Sequence, residues 1–84
     1  MINILYFARI KENLGIGKET VALPANAHDV GALTAWLRER GASWQSELAT
    51  GKALRVAVNQ AMVGMDASIK DGDEIAYFPP VTGG

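Results

Sequence analysis

The sequence predicts an α+β domain: a mixed sheet of four to five strands, one main helix and one short helix on one face, and a flexible C-terminal tail. Three observations predict it. Residues 2–8 and 74–78, near the two ends of the chain, are rich in β-branched and aromatic residues, the composition of strands. Apolar residues take up helical spacing only once over a long stretch, from Val30 onward. No repeat, linker or low-complexity tract divides the 84 residues, so they make one domain. The expected order is β-β-α-(α)-β-β-β, with residues 1–78 as the folded domain and 79–84 as an extended tail.

The first strand is expected over 2–8, and a turn over 11–18, where Gly15 and Gly17 interrupt the pattern. Residues 19–23 alternate polar and apolar side chains and supply a hairpin partner, which Pro24 ends. Val30, Leu33, Trp36 (or Leu37) and Arg40 then recur every three to four residues on one helix face. Asp29 is placed to cap that helix, and Gly41 to stop it; Gly31 lies inside it at a propensity cost of about 1 kcal/mol. A second short helix is expected over 43–50, with Ser43 as its cap, Trp44 and Leu48 one turn apart, and Gly51 at its end. Residues 54–58 form the third strand, Asn59-Gln60 turns the chain, and 61–65 run back. Asp71-Gly72-Asp73 is a turn, residues 74–78 the last strand, and Pro79-Pro80 its end.

Only one substantial helix is available, so it covers one face of the sheet, and the other face should be polar. It is not. Ile2, Ile4 and Tyr6 share one side of the first strand, with Leu5 and Phe7 opposite; Ile75 and Tyr77 share one side of the last, with Ala76 and Phe78 opposite. One set goes under the helix. The other, containing Leu5, Phe7, Ala57, Met62 and Phe78, is left as an apolar patch, covered either by a loop of the chain or by a partner protein.

Composition removes whole classes of chemistry. There is no cysteine, hence no disulfide, thiolate metal site or cysteine nucleophile. A single histidine excludes a multi-histidine metal centre, and a formal net charge of -1 offers no basic footprint for nucleic acid. The apolar start is too short for a membrane span and has no basic lead-in for export, so the expected location is the cytoplasm. His28 lacks a triad partner, Asp71, Asp73 and Glu74 read as a solvated turn, and Gly51-Lys52 lacks the glycine spacing of a phosphate loop. No metal and no cofactor is expected on this chain.

The chain ends Phe78-Pro79-Pro80-Val81-Thr82-Gly83-Gly84. Either this is a frayed end, or the terminal carboxylate is the working group. Six residues at full extension reach about 20 Å from the sheet, and two glycines thread a channel too narrow for a side chain. A carboxylate is a poor electrophile; activation with ATP to an acyl-adenylate would make it reactive, and the activating machinery would belong to another protein.

Val58-Asn59-Gln60 and the string from Asp71 to Gly84 resemble the small, sulfur-carrier subunit of molybdopterin synthase (MoaD), of the ubiquitin-like β-grasp family. The resemblance runs the whole length and is most specific over the last fourteen residues. It implies that a ubiquitin-activating-like enzyme (MoeB-like) adenylates Gly84 with ATP, and that sulfur then replaces the adenylate to leave a thiocarboxylate. The tail, Pro79, Pro80, Val81, Thr82, Gly83 and Gly84, would insert into the large synthase subunit (MoaE-like) of a heterotetramer. There it would give sulfur to cyclic pyranopterin monophosphate, building the dithiolene of molybdopterin. Phe7, Met62 and Phe78 match the family's partner-binding positions, and the absent cysteine leaves the terminal carbonyl as the place for a covalently carried sulfur. The alternatives are a β-grasp carrier for thiamine or tRNA thiolation, a ubiquitin-like modifier of lysines, and a binding module with an inert tail.

Overall fold

The computed structural model describes residues 1–49 and 54–79. Along the chain run β1 (Ile2–Tyr6), α1 (Ala8–Leu14), β2 (Lys18–Val21), α2 (Val30–Arg38), α3 (Ala42–Glu47), β3 (Arg55–Val58), β4 (Ala61–Val63) and β5 (Glu74–Phe78). The five strands form one mixed sheet in the order β2-β1-β5-β3-β4. β1 and β5 lie side by side and parallel; every other pairing is antiparallel. Among the described residues no helix is long and apolar enough to cross a membrane.

The core follows from strand alternation. Ile2, Ile4 and Tyr6 of β1, Val56 of β3, and Ile75 and Tyr77 of β5 are buried on one face, against Val30, Leu33 and Leu37 of α2, Ile10 of α1, and Leu48. Two tyrosines in an apolar core need partners for their hydroxyls. Tyr77 shares a hydrogen bond of 2.8 Å with the Thr34 hydroxyl, and Tyr6 donates to the Glu19 carboxylate at 2.6 Å. Burial pushes the Tyr77 phenol up to about 12, and burial together with the Glu19 carboxylate raises that of Tyr6. Arg40 also donates to Glu19, at 2.7 Å, with its guanidinium lying 4.8 Å from the Trp36 ring and 4.7 Å from that of Trp44.

One element departs from the sequence reading. Residues 11–18 are not a turn throughout: α1 occupies Ala8–Leu14, a third helix in place of the two expected. Ile10, buried, and Leu14, half-buried, are one turn apart, and Gly15 closes the helix in the left-handed conformation (φ 74°) with its N–H on the Lys11 carbonyl. The first strand accordingly stops at Tyr6, two residues early.

Elsewhere the differences are at element ends. Asp29 caps α2 as expected, its side chain accepting from Ala32 N at 2.7 Å. The helix ends at Arg38, ahead of Gly41, which instead precedes α3; α3 starts at Ala42 without a side-chain cap from Ser43. Gly31 has a packing reason for its place in a helix. Its N–H donates to the Met65 carbonyl at 2.8 Å, and a Cβ there would sit 3.3 Å from that oxygen. Gly51, expected to end the short helix, lies outside the described residues.

Candidate functional site

The face of the sheet away from the helices carries a groove. Pairing registers set Leu5 beside Ala76, Ala76 beside Ala57, and Ala57 beside Met62, so one apolar row crosses four strands. Two alanines in the middle give a low floor between larger walls. Phe7 and Phe78 make one wall, stacked nearly parallel at 5° with ring centroids 4.7 Å apart. Met62, 57% exposed, makes the other. The groove encloses about 380 Å³ and is lined also by Gln60 and Glu74. Phe7 is 40% exposed, a large apolar area to leave in water.

All five residues expected on the uncovered face, Leu5, Phe7, Ala57, Met62 and Phe78, therefore come together in one groove. No loop among the described residues covers it enough to bury Phe7 or Met62. Pro79 follows Phe78 directly and is half-buried. Pro80, Val81, Thr82, Gly83 and Gly84, the remaining candidate site residues, lie outside the described residues.

Gln60 and Glu74 line the groove although the sequence marks neither as a site residue. The turn expected at Asn59-Gln60 is real: the two residues have φ of 51° and 70°, the paired left-handed geometry of a two-residue hairpin. That geometry, with Met62 two residues on, is the signal that puts the Gln60 amide at the rim.

Asp73, expected in a solvated turn, is instead turned inward. Only Asp71 and Gly72 are exposed; Asp73 is buried. Its carboxylate accepts from Asn59 Nδ2 at 3.0 Å, Lys70 N at 2.9 Å and Lys70 Nζ at 3.3 Å. The Asn59 hydrogen bond, with those of Lys70, holds its pKa below the usual carboxylate value against the opposing effect of burial. Asn59 in turn accepts from Glu74 N at 3.0 Å, so the β3–β4 turn is clamped onto the first residue of β5. The clamp sets the register of the strand that carries Ala76 and Phe78 into the groove. His28 is exposed, and no three histidine, aspartate or glutamate side chains among the described residues are grouped to hold a metal ion.

Comparison with known proteins places this geometry. The ThiS family model matches residues 4–84. The molybdopterin synthase sulfur carrier subunit of Escherichia coli is 43% identical over 84 residues, all of both chains. That of Haemophilus influenzae is 39% identical over the same full length. Among solved structures, SAMP1 from Haloferax volcanii superposes with a TM-score of 0.79 at 25% identity, covering 99% of this chain and 98% of that one. A complex of subunits 1 and 2 of the molybdopterin-converting factor from Helicobacter pylori contains a chain with TM-score 0.66 at 27% identity, covering 99% of this chain and 97% of that one. The fold is thus the ubiquitin-like β-grasp.

Proposed function

The chain belongs to the ThiS family, and from that premise we propose that it is the sulfur-carrier subunit of a molybdopterin synthase, working in the cytoplasm with its C-terminal glycine as the reacting group. The Gly84 carboxylate attacks the α-phosphate of ATP on a ubiquitin-activating-like enzyme. Pyrophosphate leaves, and an acyl-adenylate remains. A sulfur nucleophile displaces AMP and leaves a thiocarboxylate. In the large synthase subunit the thiocarboxylate sulfur attacks a carbon of cyclic pyranopterin monophosphate and displaces an oxygen substituent; water then cleaves the resulting thioester, leaving a thiol on the precursor and restoring the carboxylate for another cycle. ATP is consumed by the activating enzyme, and this chain holds no cofactor of its own.

The residues divide the work by position. Phe7, Met62 and Phe78 dock the domain by their apolar surface. Pro79 and Pro80 would stiffen the tail, Val81 and Thr82 would contact the large subunit as the tail inserts, and Gly83 and Gly84 would pass where a Cβ would not. The domain is the sulfur donor of the synthase, and the side chains that activate the precursor belong to the large subunit. The observation that carries this reading is the uncovered apolar groove at the root of the tail, in a chain matched end to end by molybdopterin synthase sulfur carriers.

Intact-mass analysis tests it. Incubation with the activating enzyme, ATP and a sulfur donor is expected to exchange one oxygen for sulfur, localised to Gly84. A plain carboxylate under those conditions overturns the proposal, and an isopeptide bond to a lysine assigns the chain to the modifiers. Deleting Gly84 is expected to leave folding intact and abolish sulfur transfer; normal molybdopterin formation by the shortened protein would reject the role of that residue.

A further inference from the structure

Charge is sorted along the strands of the uncovered face. At the start of β5, Asp71 pairs with the Met1 amine, and Asp73 is held by Lys70 and Asn59. At the other end, where the chain leaves β5, the cations are bare. Arg55 pairs across the sheet with Phe78, Lys18 with Leu5, and Arg9 lies two residues beyond Phe7. All three are exposed, and among the described residues none of them forms an ion pair. Of the acids near them, Glu19 is already engaged by Arg40 and Tyr6, Glu12 lies on α1, and Glu74, at the far end of β5, lines one surface pocket with Lys18.

The spacing of these cations selects the class of ligand. Lys18 is on β2 and Arg55 on β3, separated by β1 and β5. Three strand spacings across the sheet and a two-residue offset along it put their Cα atoms about 16 Å apart, on either side of the apolar row. Two cations that far apart cannot close on one phosphate, which needs converging donors. Separated charges around an apolar centre have the arrangement of a protein–protein rim.

We propose that Arg55, Lys18 and Arg9 form a cationic rim that steers the tail-bearing end of the domain onto a socket of the large synthase subunit edged with aspartate and glutamate. This rests on the sulfur-carrier reading. The rim acts on encounter: charge at the edge of an interface sets the association rate and its salt dependence, while the apolar centre sets how long the complex lasts.

The test is the association rate with the large subunit at about 0.01 M and about 1 M salt, where the screening length falls from roughly 30 Å to roughly 3 Å. Reversing the rim (Arg9→Glu, Lys18→Glu and Arg55→Glu together) is expected to slow association about tenfold or more at low salt. At high salt the rates should converge with the unaltered protein, and dissociation should change little. Replacing the same three residues by glutamine should give a smaller slowing, with unchanged melting temperature confirming that the fold is intact. Equal rates at low salt overturn the proposal, as does a slowing that persists at high salt. If the unaltered chain forms no complex at either salt concentration, the sulfur-carrier reading falls and the rim with it. If it binds and the variants bind equally fast, only the rim falls.

Discussion

Asp73 is a carboxylate kept out of water by three donors, and its protonation state is therefore tied to folding. Its folded pKa is depressed, so its contribution is fully present above the unfolded value of about 3.9 and is lost as pH falls through the lower folded value. Asp73→Ala leaves Asn59 Nδ2 and Lys70 N without this acceptor and should cost about 1–3 kcal/mol at neutral pH. Urea unfolding at a series of pH values should show that cost constant above about pH 5 and shrinking below about pH 4. A cost that stays constant down to the acid limit would assign the role of Asp73 to shape alone. The inward turn of Asp73 is not legible locally: aspartate and glycine are the usual turn formers, and nothing nearby marks which of two aspartates faces inward. That depends on Asn59, fourteen residues earlier.

At the scale of elements, alternation was the reliable signal. Ile2, Ile4 and Tyr6 against Leu5 and Phe7, and Ile75 and Tyr77 against Phe78, assign both faces of the two central strands, because a period of two leaves a single choice of sides. The element lost to sequence reasoning was α1, whose seven residues offer only Ile10 and Leu14 as apolar spacing, too little to outweigh two nearby glycines. Its first residue has a cost of its own. Ala8 has φ of 52°, the left-handed region that side chains disfavour by about 1–2 kcal/mol. Ala8→Gly removes that penalty, and part of the gain is returned through the freer unfolded chain. A net stabilisation of about 0.5–1 kcal/mol is expected, raising Tm by about 2–8 °C in a thermal melt. Ala8→Val should lower it. A lower Tm for the glycine variant would mean that Ala8 is not strained.

At the scale of the whole molecule, the buried core and the exposed apolar groove lie on opposite faces of one sheet. The helix-covered face stabilises the fold; the other face keeps Phe7, Met62 and Phe78 in contact with water. Phe78→Asp removes a ring stack worth about 0.5–1.5 kcal/mol and places a charge in the groove. It should lower Tm by about 2–12 °C while raising Kd for the large subunit at least about thirtyfold, the scale of an interface hot spot. Calorimetry against the large subunit, run beside a thermal melt, separates the two effects, and an unchanged Kd would remove Phe78 from the docking surface. This division of faces was legible before the structure because both central strands are apolar on two sides while only one layer of helices was available. The basic rim was not legible: only the pairings of Lys18 with Leu5 and of Arg55 with Phe78 set those two cations beside residues of the groove.

The parallel pairing of β1 with β5 has a consequence for synthesis. Without β5 the sheet is two separate ribbons, β2 with β1 and β3 with β4, each of only two strands and of marginal stability in water. The first strand made must wait for the last before the sheet can close, so folding on the ribosome is deferred until β5 has emerged. A nascent chain interrupted before Glu74 would then have neither a closed sheet nor a Phe7–Phe78 wall for a partner to grip. The strand that completes the domain is also the last of the described elements, and a folded domain therefore certifies that translation has run through Phe78.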